Sequence, residues 1–156
     1  MAKLLGTLRC AALACLIAGL APDARGGDGP PNWRGGGTGS TAPAGPVHAD
    51  ELAGKSTHLG RFTGAGAHVL YADFTFDGWA TWTAANGDTL DVVYAGQVFP
   101  SGDPDYPYGF VAELWAVGGT GRLAGASGAA AMTGAFTGVP GDLYFEIEGT
   151  LRVGGP

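Results

Sequence analysis

The chain has 156 residues, 30 of them glycine, with two cysteines and a formal net charge of −6. That length implies a single domain. The acidic balance excludes nucleic acid and, once any leader is removed, an anionic membrane face as partners.

Met1 to Ala24 has a basic start (Lys3, Arg9), an apolar run from Cys10 to Leu20, and a small residue, Ala24, before the composition turns polar. This is the order of a secretory signal peptide, and the apolar run is too short to span a bilayer. The expected location is secreted or periplasmic. A lipoprotein signal using Cys15 is the alternative, but Ala12 stands where a larger aliphatic residue is preferred. Cleavage after Ala24 removes both cysteines and leaves six basic against 13 acidic residues, a net charge of −7. No disulfide can then form, so stability must come from packing and strand pairing.

Positions 25 to 46 are rich in Gly and Pro without periodicity and read as a flexible leader, with Trp33 exposed. Positions 47 to 153 form the domain. Eight short strands follow one another there: 47–52, 57–63, 68–76, 79–84, 89–98, 110–117, 129–136 and 143–153. Asn86-Gly87-Asp88 predicts a type I′ hairpin turn, and Asp77-Gly78 a weaker turn between the two preceding strands. Alternation in the last strand puts Leu143, Phe145, Ile147 and Leu151 on one face, and Tyr144, Glu146, Glu148 and Thr150 on the other. No run of helical spacing follows the leader. Eight strands left open would expose hydrogen-bonding edges, so the fold expected is a closed eight-stranded antiparallel β-barrel.

Three motifs carry a resemblance. Thr57-His-Leu-Gly-Arg-Phe-Thr63, Ala85-Asn-Gly-Asp-Thr-Leu90 and Gly118-Gly-Thr-Gly-Arg-Leu-Ala-Gly-Ala-Ser-Gly128 resemble the bacterial secreted proteins with an allene oxide cyclase barrel-like domain. The last motif is also similar to a corner of the plant dirigent proteins. The resemblance spans about positions 47 to 153 and implies a calycin-type barrel whose interior holds a small apolar molecule. It carries no activity, because the matching residues make turns and packing contacts.

Several side chains are candidates for chemistry. Glu113 lies between Val111 and Trp115 in an apolar strand, and burial there would make it a general acid or base. The plainer reading puts it outside, in water or beside Arg61 or Arg122. His58 is the second catalytic candidate, against a structural histidine bonded to a neighbouring strand or loop. Tyr71, Tyr94 and Trp115, with Trp79 and Trp82, supply aromatic surface for a ligand or for ordinary core packing. His48, His58 and His68 could meet only across strands, with no local pair to support a zinc site. Asp103 and Asp105, in the loop from Pro100 to Tyr108, lack the ligand run of a calcium site, and that loop could instead cover the barrel mouth. Gly119-Thr-Gly121-Arg-Leu-Ala124 opens no helix, and Gly54-Lys-Ser56 lacks the first glycine of a phosphate loop.

No cofactor or metal is called for. The favoured function is an exported non-catalytic barrel that binds a small apolar molecule or a partner protein. The alternatives are a cyclase or isomerase acting by confinement, with Glu113 or His58 assisting, and a structural envelope or matrix protein that self-associates.

Overall fold

A computed structural model describes residues 32–154. The signal-peptide reading of Met1 to Ala24 and the segment 25–31 lie outside the described residues. Eight strands form one closed antiparallel barrel: β1 (Trp33–Ala44), β2 (Val47–Ser56), β3 (Gly60–Leu70), β4 (Thr75–Ala84), β5 (Thr89–Pro100), β6 (Tyr108–Gly119), β7 (Ser127–Phe136) and β8 (Gly141–Arg152). Each strand pairs with the next, and β1 pairs with β8, Gly37 lying opposite Phe145, so no edge is left open. Among the described residues the one helical element is a 3-10 turn at Gly121–Leu123.

The first strand corrects the leader reading. Residues 33–44 are a wall of the barrel, and Trp33 is fully buried. Its inward positions include Gly35, Gly37 and Gly39, which give no apolar alternation to read. These glycines serve close approach: a Cβ on Gly39 would lie 2.2 Å from the Glu51 carbonyl oxygen and 2.7 Å from Leu52 Cδ2. The start of the strand is held by side chains. Leu151 N–H donates to Asn32 Oδ1 at 2.8 Å, and the Thr57 hydroxyl donates to the Asn32 carbonyl at 2.7 Å.

Two expected strands, 57–63 and 68–76, are instead parts of one. Residues 57–59 form a turn, β3 runs unbroken through Gly64 and Gly66, and the chain reverses at residues 71–74. Asp77 and Gly78 therefore lie inside β4. The Asn86-Gly87 hairpin exists but is not type I′, because Gly87 alone of that pair has positive φ (+89°). Gly87 N–H donates to the Ala84 carbonyl, and Ala84 N–H donates to the Asp88 carbonyl, the pattern of a three-residue loop.

Packing divides the interior. Toward the end holding Trp33, Ser56, Leu123 and Leu151, the barrel is solid: Trp82 stacks on Phe62 at 4.8 Å between centroids and meets Trp33 edge-on at 6.1 Å. Each such side chain contributes roughly 1.5–3 kcal/mol on burial. The other half is left partly open.

Candidate functional site

The open half contains a cavity of about 80 Å³ walled mainly by hydrocarbon and aromatic side chains, among them Leu52, Leu70, Phe76, Val98, Phe110, Leu114 and Phe145. At about 30 Å³ per water in the liquid, that is room for two or three waters or one small molecule. Four polar residues interrupt the lining: Thr41, Asp50, His68 and Tyr94.

Strand parity explains how they meet. Asp50 shares the inward face of β2 with Leu52 and His48, Thr41 is its direct neighbour on β1, and His68 on β3 lies opposite His48. Asp50 is 6% exposed. Its Oδ2 accepts from His68 Nδ1 at 2.7 Å and from the Tyr94 hydroxyl at 3.1 Å. His68 Nε2 in turn lies 3.1 Å from His48 Nδ1, a hydrogen bond between the two rings. The result is a hydrogen-bonded chain from the cavity through His68 to the half-buried His48, near the turn joining β1 and β2.

Two polar oxygens beside the cavity, Asp50 Oδ1 and Thr41 Oγ1, are buried without a hydrogen-bond partner among the described residues, as is the Nε1 of Trp82, which also lines the cavity. Buried polar atoms are almost always satisfied, so this pair marks a place where something else can bind. Burial pushes the Tyr94 phenol far above its ordinary range, and the Asp50 carboxyl beside it adds to the shift. Tyr94 is therefore a hydrogen-bond donor and not a base. Burial also lowers His48, with His68 adding to the effect and Asp50 opposing it.

Of the side chains singled out from the sequence, Tyr94, Trp82 and His68 line the cavity. Glu113 is exposed on the outer face of β6, between Ala95 and Ala131 on the flanking strands. A carboxyl acting inside a confined space is therefore not Glu113. Trp115 also faces outward, half-buried, in a cross-strand row with Val93 and Ala129. His58 sits in the turn after β2, at the solid end, with Nε2 buried and unpartnered among the described residues. Tyr71 follows β3 and donates its hydroxyl to Asp77 Oδ1 at 2.5 Å.

His48 and His68 do meet across strands, while His58 stays apart. Among the described residues no group of three or more His, Cys, Asp or Glu side chains is arranged to hold a metal ion. The loop 101–107 lies at the cavity end, and its Tyr106 packs edge-on against Tyr144 at 5.1 Å.

The residues missed in the sequence are Thr41, Asp50 and the pairing of His48 with His68. Strand alternation held the signal for Asp50: if Leu52 faces the core, so do Asp50 and His48.

Fold and site together define a closed antiparallel barrel with an internal apolar cavity anchored by one buried carboxyl. Comparison with protein-family models, with characterised proteins and with solved structures finds no match.

Proposed function

We propose that the barrel is a binding protein for a small, largely apolar molecule held in the cavity between Phe76, Phe110 and Leu114. The observation that carries this is the asymmetry of the interior: one half is filled by Trp33, Trp82 and Phe62, while the other keeps about 80 Å³ of space. Close packing is the rule in protein interiors, and an apolar space this large costs stability unless an occupant restores the lost contacts. The turn motifs that resemble exported allene oxide cyclase barrel-like and dirigent-like proteins support the same reading, with export from the cytoplasm.

Fluorobenzene is a suitable probe, followed by fluorine NMR. Saturable binding with Kd of about 1 mM or tighter, equivalent to about −4 kcal/mol, is expected. Val98→Trp, which fills the cavity from its wall, should abolish it. Absence of saturable binding by the folded protein, or equal binding by the filled variant, would overturn the proposal.

A further inference from the structure

We infer that the natural occupant carries a single alcohol hydroxyl, which donates to Asp50 Oδ1 and accepts from Thr41 Oγ1. This rests on the reading that the cavity binds a small apolar molecule, and adds the chemistry of its polar end. These two unpartnered oxygens belong to residues directly opposite each other on β1 and β2, whereas the third unpartnered group of the lining, Trp82 Nε1, is on β4. Such cross-strand neighbours have side chains about 4.5–5.5 Å apart at Cβ. One small polar group can therefore touch both.

Counting donors and acceptors selects the class. Oδ2 of Asp50 is already occupied by two donors, His68 and Tyr94, so the carboxyl has one oxygen left, and that oxygen can only accept from a ligand. Thr41 has one hydroxyl proton to give. An alcohol needs one acceptor for its proton and offers lone pairs in return, so both unpartnered oxygens are satisfied together. An ammonium group finds acceptors at Oδ1 and at the Thr41 oxygen, but it has no lone pair to accept the Thr41 hydroxyl proton and brings a full charge into an apolar lining. A carboxylate would set lone pairs against Asp50. A ketone satisfies Thr41 but leaves Asp50 Oδ1 facing a second acceptor. A phenol donates well, but its oxygen, conjugated to the ring, accepts weakly from Thr41.

Cyclohexanol and cyclohexanone share a ring and differ at the oxygen, so their competition against bound fluorobenzene isolates donation to Asp50. Cyclohexanol should displace the probe at about tenfold lower concentration, the worth of one buried hydrogen bond. Thr41→Val should weaken cyclohexanol several-fold. Asp50→Asn, whose amide can donate to a ketone, should collapse or reverse the preference. Equal displacement by the two ligands in the unaltered protein would overturn the inference and leave the binding proposal standing, as it would if a water already bridges Thr41 and Asp50. A preference for the alcohol unchanged in a folded Asp50→Asn variant would overturn it too. Failure of fluorobenzene to bind would instead remove the binding proposal itself. The comparison in the unaltered protein does not depend on Asp50→Asn folding.

Discussion

The Tyr94 hydroxyl reaches Asp50 Oδ2 at 3.1 Å although the two residues sit on β5 and β2, with β3 and β4 between them. The link crosses the interior because the position paired with each partner on the adjacent strand is a glycine. Gly66 lies opposite Asp50, and Gly78 lies opposite both His68 and Tyr94. A Cβ on Gly78 would stand 2.7 Å from both Tyr94 Cε2 and Cζ and 2.6 Å from the Ala67 carbonyl oxygen. The glycines are thus part of the site.

Gly78→Ala should therefore destabilise the protein by about 1–3 kcal/mol, the cost of overpacking. The Tyr94 ring must move, and its bond to Asp50 is lost. Tyr94→Phe, which removes the hydroxyl but keeps the ring, should cost about 1–2 kcal/mol, because Asp50 keeps His68 as a partner. Urea denaturation of the two variants checks the order. A Gly78→Ala variant as stable as the parent would show that the ring has freedom to shift.

Stability should fall on both sides of neutrality, for different reasons. Burial raises the Tyr94 pKa in the folded state, so its contribution is present below about pH 10 and is lost as pH rises, since the unfolded phenol ionises first. Burial and His68 lower His48, so its contribution is present above about pH 6.5 and is lost as pH falls, since the unfolded imidazole takes up its proton first. Denaturation profiles of Tyr94→Phe and His48→Gln against pH check these arms separately: the first should lose part of the alkaline decline, the second part of the acid decline. A His48 imidazole resonance titrating at or above the ordinary value would contradict the second.

Trp33→Ala should cost about 3–5 kcal/mol, the range for truncating a fully buried large aromatic side chain. A chain lacking residues 33–44 should fail to fold as a monomer, because β2 and β8 would both become open edges. Thermal unfolding of the first variant and size-exclusion of the second test whether β1 is integral. A stable monomer without it would make that strand an accessory.

Barrel closure and most strands were legible because β5 and β8 alternate strongly: Leu90, Val92 and Tyr94 face in, as do Phe145 and Ile147. The first strand was not, since its inward row is Gly35, Gly37 and Gly39 between Trp33 and Thr41. Glycine that admits a neighbour's backbone looks like linker composition until the neighbour is in place. For the same reason β3 looked like two strands, split at Gly64-Ala65-Gly66. Glu113 drew attention because both faces of β6 are apolar. The outward face carries Val111, Trp115 and Val117, so polarity alone could not tell the lumen from the surface. The Asp50 site needed the third dimension: Tyr94 is 44 residues away, and only the curvature of the closed barrel brings its hydroxyl there.

The corner from Gly118 to Gly128 carries a last prediction, because its role is to lock the solid end of the barrel. Gly121 adopts φ of +57°, and a Cβ there would come within 1.8 Å of Asp88 Oδ1. The same carboxyl accepts from Arg122 Nε at 2.8 Å and from Asn86 Nδ2 at 2.8 Å, tying the corner to the β4 and β5 hairpin. Hydrogen bonds from Arg122 and Asn86 hold Asp88 below the usual carboxylate range. Gly121→Ala combines an unfavourable backbone conformation with a collision, so Asp88 must swing away and give up Arg122. The expected result is a lower melting temperature, together with an Asp88 carboxyl resonance that titrates closer to its ordinary value. Arg122→Ala should reproduce the change at Asp88 with a smaller loss of melting temperature, since an exposed ion pair contributes little by itself. Equal melting losses in the two variants would mean that the ion pair, and not the glycine, holds the corner.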